Sequence, residues 1–258
     1  MQFIIAESLN TSLEKLSQQE ARLAKTTVYD LQANLKTPSL NFHRIERARD
    51  TNFWSARVNQ DLRIIIHKTE HSFLLCYVAH HDQAYKWAQN RKGEIHPETG
   101  AFQFVEIRER VEDVVVTRVV DHEISTKPIF ERHSREYLAS HGVPEEWLDD
   151  VMAVTDDDQL LELVGHLHTE ASDALLVIAT GGTPAPPVTP EQVTSPFEHP
   201  DAKRRFHILD EHSDETLAHY LDQPLAVWRF FLHPSQREIV EGNWRGPFRA
   251  IGAPGTGK

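Results

Sequence analysis

Two groups of residues have types and spacings that could do chemistry. The first closes the chain: Phe248-Arg249-Ala250-Ile251 leads into Gly252-Ala253-Pro254-Gly255-Thr256-Gly257-Lys258, which fits the pattern GxxxxGK. In such a loop the glycines let backbone N–H groups wrap phosphates, and the lysine reaches the outer phosphates as a point charge. Gly252, Gly255, Thr256, Gly257 and Lys258 are therefore candidate phosphate contacts, the alternative being a flexible glycine-rich tail. The second group lies in residues 1–95 and consists of Arg57, Arg63 and His81. Arginine binds phosphate bidentately and histidine exchanges protons near neutrality, so these residue types suit phosphate contact and proton transfer. The plainer alternative makes the arginines exposed strand residues pairing with Asp50 or Asp61, and His80-His81 one structural and one exposed histidine. A metal held by both imidazoles is not expected, because neighbours on a strand point to opposite faces.

The elements that must position these side chains follow from periodicity. Phe3-Ile4-Ile5-Ala6 reads as a short strand. Leu9, Leu13, Leu16, Leu23, Val28, Leu31 and Leu35 then recur near helical spacing, which predicts one or two amphipathic helices up to Thr37-Pro38. Three strands are expected over 53–58, 62–68 and 73–79, the last two flanking a loop of hairpin length at 69–72. Asp82 can cap a helix through Ala84, Trp87 and Ala88 that ends near Gly93. Trp54 and Trp87 read as core anchors.

Residues 101–120 predict two more strands, through Phe102, Phe104, Val105 and Ile107 and then through Val114-Val115-Val116 and Val119-Val120. From Ser134 to Thr180 the pattern is helical, with Gly142-Val143-Pro144 as a turn into a helix whose first turn is acidic. Val143, Glu146 and Val151 are echoed 24 residues on by Leu167, Glu170 and Leu175, a faint sign of two matching helical hairpins. Asp156-Asp157-Asp158 reads as a helix start, favoured by the helix dipole, rather than as a metal site. Trp147 reads as core. Gly181-Gly182-Thr183-Pro184-Ala185-Pro186-Pro187, with Pro190 and Pro196, is a proline-stiffened linker.

Composition bounds the function classes. The 258 residues have room for two or three compact units, and one cysteine, Cys76, excludes an internal disulfide framework and suits a reducing cytosol. No apolar run approaches the roughly 20 residues of a membrane span, and the first residues lack the basic flank of a signal peptide, so a soluble, cytoplasmic protein without membrane contact is expected. The net charge of −12 hides an asymmetry. Residues 1–95 carry 13 Lys and Arg against 10 Asp and Glu, whereas residues 131–180 carry 2 against 12. Only the first segment suits weak contact with RNA or DNA; the second suits a spacer or a surface for a basic protein partner.

With Leu232-His233-Pro234-Ser235-Gln236-Arg237-Glu238-Ile239-Val240 just upstream of the loop, the stretch from Leu232 to Lys258 resembles the start of the UvrD/Rep helicases of superfamily 1. The resemblance implies that Gln236 reads the adenine of ATP, and that the parent protein uses ATP with Mg2+ and acts on DNA. The Ser or Thr that would hold magnesium would be residue 259, and neither a water-positioning residue nor an arginine finger is identifiable. This chain is accordingly expected to hold no bound ATP or Mg2+ and not to hydrolyse ATP.

Residues 1 to about 95 resemble the RelE/ParE toxin superfamily, through Phe53-Trp54-Ser55-Ala56-Arg57-Val58, Asp61-Leu62-Arg63-Ile64-Ile65-Ile66 and Val78-Ala79-His80-His81-Asp82. The resemblance implies Arg63 as phosphate ligand, His81 as proton carrier and Arg57 as a second cation. The sequence departs from active members: Asp82 stands where one has Tyr, no carboxylate base is identifiable, and their lysines have no counterparts between Arg44 and Arg63. Some relatives share the fold without being nucleases.

The expected fold class is thus α+β. It comprises a RelE/ParE-like domain (1–95), a β-strand extension (96–125), an acidic helical domain (126–180), a Pro-rich linker (181–200) and the truncated start of a P-loop α/β helicase domain (201–258). The function expected is that of an N-terminal accessory region of a helicase. The alternatives are a RelE-type endoribonuclease and an inactive toxin fold used for protein contacts.

Overall fold

Leu62-Arg63-Ile64-Ile65-Ile66-His67-Lys68 explains why a sheet organises the first part of the chain, since β-branched side chains pack on both faces of a pleated strand that is itself buried on both sides. The computed structural model describes residues 2–33, 37–107, 127–186, 195–203 and 205–209. It is a mixed α+β fold that divides into two compact units, Met1–Arg91 with Pro200–Lys258, and Lys92–His199. No helix among the described residues is long and apolar enough to cross a membrane.

In the first unit the elements are β1 (Gln2–Ala6), α1 (Glu7–Leu13), α2 (Gln18–Ala33), β2 (His43–Arg44), β3 (Phe53–Arg57), β4 (Leu62–Lys68), β5 (Ser72–His80) and α3 (His81–Gln89). Strands β2 to β5 form an antiparallel meander, and β1 joins β5 in parallel, Phe3 opposite Phe73. Helices α1 and α2 cover one face through Leu9, Leu13, Ala24, Val28 and Leu31, which pack with Ile64, Ile66, Phe73 and Leu75 of the sheet. Burying each of the Leu, Val, Ile and Phe side chains contributes roughly 1.5–3 kcal/mol. Ser17 and Glu20 close the start of α2 reciprocally: the Ser17 N–H donates to Glu20 Oε2 at 3.0 Å and the Glu20 N–H to Ser17 Oγ at 3.3 Å.

The other face carries α3. Ala84 and Ala88 are buried there, and Trp87 stands edge-on to Phe53 at 5.8 Å and stacks on Tyr77 at 5.0 Å. Beneath it His67 Nε2 lies 2.9 Å from Asp50 Oδ2, both side chains nearly inaccessible. Asp50 thus pairs with His67.

Within the second unit β6 (Arg91–Ile95) pairs with β7 (Phe102–Glu106), and the Ser134–Thr180 region forms α4 (Arg135–Ser140), α5 (Glu145–Ala153), α6 (Asp157–Val164) and α7 (Thr169–Ala179). The helix starts agree with the 24-residue echo, α7 beginning at Thr169 and α5 at Glu145. Asp156 caps α6, its carboxylate accepting from the Gln159 N–H at 2.9 Å. Trp147, Leu148, Val151, Leu160 and Leu175 form the core with Phe130 and Leu138, so Trp147 is a core residue.

Two features differ from the sequence reading. Strand β6 begins where Gly93 was expected to end α3, which stops at Gln89 with no side-chain cap from Asp82; His80 is its N-cap residue. After α8 (Pro200–Lys203), β8 (Phe206–Leu209) pairs antiparallel with β1, Phe3 opposite Leu209 and Ala6 opposite Phe206. Residues that the sequence assigns to a new domain therefore complete the sheet of the first unit, in the order β2-β3-β4-β5-β1-β8. The physical reason is the edge of β1, whose N–H and C=O groups on the side away from β5 need partners. The expected strand through Val114–Val120 lies outside the described residues.

Candidate functional site

Three local devices build a groove of about 1020 Å³ beside α3, lined by His43, Arg44, Ile45, Glu46, Arg47, His81, Asp82, Tyr85, Lys86, Gln89 and Asn90. The first is a turn after β2. Ile45 is buried at 2 % and Ala48 at 9 %, and these anchors leave Arg44, Glu46 and Arg47 exposed. The second is Asn41, whose φ of 40° lies in the left-handed region that Asn tolerates better than most residues. Its carbonyl accepts from His43 Nδ1 at 2.7 Å. The third is helical spacing, which puts His81 and Tyr85 one turn apart, their rings stacked at 4.5 Å.

Donor and acceptor roles follow from these contacts. A carbonyl only accepts, so His43 Nδ1 carries the proton, and in the neutral ring Nε2 accepts from the Tyr85 hydroxyl 2.9 Å away. On the facing ring, His81 Nδ1 donates to the Asp82 carboxylate at 2.9 Å. Arg44, Arg47 and Lys86 supply three cations and Glu46 a carboxylate. The set can hold phosphate oxygens and move protons at two places.

The start of α3 is fixed by Asp61 of the β3–β4 turn. Its Oδ2 lies 2.6 Å from His80 Nδ1, and its Oδ1 accepts from the His81 N–H at 3.5 Å. The His80 hydrogen bond, aided by the His81 N–H, holds the Asp61 carboxyl below its ordinary value despite some desolvation. Negative charge there also suits the positive end of the helix.

The sequence-derived candidates separate. His81 lines the groove. Arg63 does not: it is 7 % exposed, and its Nη1 donates to the carbonyls of Asn59 at 3.0 Å and Leu62 at 2.9 Å, with both Nη atoms 3.4 Å from the Gln60 carbonyl. It clamps the turn between β3 and β4. Arg57 is exposed at the end of β3, directly opposite Arg63 in the ladder, and is likewise not among the groove residues. Gln236, Gly252, Gly255, Thr256, Gly257 and Lys258 lie outside the described residues.

Sequence reasoning missed His43, Arg44, Glu46, Arg47, Tyr85 and Lys86. The four-residue spacing of His81 and Tyr85 was readable, whereas His43 reaches Tyr85 across 42 positions of chain and gave no local sign. No group of three or more His, Cys, Asp or Glu among the described residues could hold a metal ion. No protein-family model matches the chain, and no curated protein matches it.

Proposed function

We propose that this chain is the N-terminal accessory region of a UvrD/Rep-type DNA helicase, and that its RelE/ParE-like first unit contacts the nucleic-acid backbone through the groove beside α3. The observation that supports contact is the gathering of Arg44, Arg47 and Lys86 around the His43–Tyr85 and His81–Asp82 pairs. The helicase part of the reading is supported by the Gln236 and GxxxxGK residues of the sequence, which in the parent protein would hold ATP with Mg2+. The test of contact is single-stranded RNA binding measured against salt. Two phosphate contacts give a log–log slope of roughly −1.4, and Arg44→Ala with Arg47→Ala should flatten it. A slope unchanged in the double variant contradicts the reading.

A second reading, RNA cleavage of the RelE type, is favoured by the presence of two proton-carrying pairs and Glu46 in one groove. In that reaction a base takes the 2′-hydroxyl proton, O2′ attacks phosphorus, the P–O5′ bond breaks, and an acid protonates the departing 5′ oxygen. Each acid–base partner contributes on the order of 10² to 10⁴ in rate. Expression in growing cells with mapping of transcript ends tests it: cuts lost in both His43→Ala and His81→Ala support cleavage, and absence of cuts leaves contact without cleavage as the function.

A further inference from the structure

The second unit holds a groove of its own between the end of β7 and helices α5 and α6, lined among others by Glu106, Asp150 and Glu162, but Glu106 and Asp150 already have partners within the chain. The first unit carries a more specific device. It is the buried pair of Asp50 and His67, at the far end of the turn that brings Arg44, Glu46 and Arg47 to the groove beside α3. An ionised carboxylate only accepts, so His67 Nε2 donates to Asp50 Oδ2 at 2.9 Å, with the two side chains 3 % and 8 % exposed. The other oxygen, Oδ1, accepts from the Asn52 N–H at 2.9 Å, and the Asn52 carbonyl accepts from the Lys68 N–H at 2.9 Å, which closes the turn on β4. At its near end the same turn is tied to α3 by the His43–Tyr85 hydrogen bond, and to β3 by the Ile45 N–H, which donates to the Phe53 carbonyl at 2.9 Å. Phe53 lies opposite His67 in the ladder, meets its ring edge-on at 5.3 Å and meets Trp87 of α3 at 5.8 Å. Both walls of the groove therefore rest on Phe53 and His67.

We infer that Asp50 and His67 are positioning residues, which hold the turn so that Arg44 and Arg47 are preset for a phosphate backbone. The inference rests on the nucleic-acid reading of this groove. Neither residue touches a ligand, because both side chains are enclosed. Stability gives a poor account of the pair: taking a carboxylate out of water offsets most of what its hydrogen bonds contribute, and well-packed apolar residues often serve a core as well or better. What the carboxylate adds is direction. Its two oxygens engage Asn52 and His67 along separate lines, which an alkyl side chain cannot reproduce. Arginine loses much rotamer freedom when it grips a ligand, so fixing the backbone that carries two of them lowers the ordering cost of binding.

The experiment uses the 258-residue chain with Asp50→Leu and His67→Phe together, which removes the pair without leaving a buried charge. The midpoint of urea unfolding should hold or rise. Affinity for single-stranded RNA should fall about fivefold, short of the loss expected when both arginines are removed, since the cations remain and only their placement is lost. Without RNA, the amides of Ile45 and Ala48 should lose exchange protection that β4 and α3 keep. In a chain already carrying Arg44→Ala and Arg47→Ala, the same two changes should leave the residual affinity as it was, because nothing is left to position. His67→Gln, whose carboxamide N–H can donate to Asp50, should rescue most of the affinity. Unchanged protection at Ile45 and Ala48 would overturn the inference whether or not RNA binds. So would an affinity loss that persists without the two arginines, or one that follows a lowered urea midpoint. Failure of the nucleic-acid reading looks different: RNA affinity indifferent to Arg44 and Arg47 overturns that reading and with it the phosphate role, while exchange at Ile45 and Ala48 still decides whether the pair holds the turn.

Discussion

The grooves of the two units are assembled from the same kinds of part and carry opposite charge. Each uses a strand end, one face of a helix and a stacked pair of a histidine with a larger aromatic ring, His81 on Tyr85 in one and His166 on Trp147 in the other. In the first unit three basic side chains line the groove and the histidines belong to hydrogen-bonded pairs, His43 with Tyr85 and His81 with Asp82. In the second, three carboxylates line it and the aromatic ring belongs to the core. The difference teaches that a histidine stack is only a scaffold here. The charges lining the two grooves, not the stack, set them apart.

The comparison breaks most visibly at Trp147, because this ring serves both core and groove. Trp147→Ala should destabilise the second unit by about 3–5 kcal/mol, as expected for removing a large buried aromatic. Hydrogen exchange should show protection lost in α4 to α7 and retained in β3 to β5. Equal loss in both units would mean that they do not fold as separate cores.

A smaller effect separates Arg63 from the groove cations. Arg63→Ala removes the donors that satisfy the turn carbonyls and should cost about 1–3 kcal/mol in a denaturant titration, with RNA affinity changed less than about twofold. Arg44→Ala with Arg47→Ala should do the reverse, leaving stability within about 0.5 kcal/mol, as surface changes do, while RNA affinity falls about tenfold, equivalent to roughly 1.4 kcal/mol. RNA affinity lost only in Arg63→Ala would relocate the site to the β3–β4 turn.

How much of this was legible depended on the range of the interaction concerned. The strands over 53–57 and 62–68 and the helices before them follow from apolar periodicity, which is local, and the Asp156 cap follows from residue type at a helix start. Cys76, flanked by Leu75 and Tyr77 in β5, is fully enclosed. The return of Phe206–Leu209 to β1 was not readable, because pairing across two hundred positions leaves no mark on four residues of β8. Arg63 misled for a related reason. Its type suits phosphate, but its guanidinium is already occupied by carbonyls of the turn it follows. His43 and Glu46 entered the groove through a turn anchored by Ile45, and only the fold shows that they meet His81.

Burial pushes the Cys76 thiol well above its ordinary value, so it should resist an aqueous thiol reagent in the native chain and react on unfolding. Rapid native labelling would mean that β5 opens.

The smallest expected effect is electrostatic and lies at Asp61. Its carboxyl is held low in the folded chain, chiefly by His80, so its stabilising contribution is present above the ordinary unfolded value and is lost as pH falls through the lowered folded value. His80→Ala should move the Asp61 carboxyl titration, followed by NMR, upward, and should shift the acid limb of stability to higher pH. An unmoved titration would show that His80 does not set it.

The central claim, that the first-unit groove meets nucleic acid while the second unit does not, is tested most directly by following histidine imidazole resonances during titration with a short single-stranded RNA. The chain has 16 histidines distributed over both units, which makes them internal reporters. The account predicts saturable shifts at His43 and His81, with His96 and His168 of the second unit unmoved. Shifts confined to the second unit, or no saturable shift at His43 and His81, would contradict it.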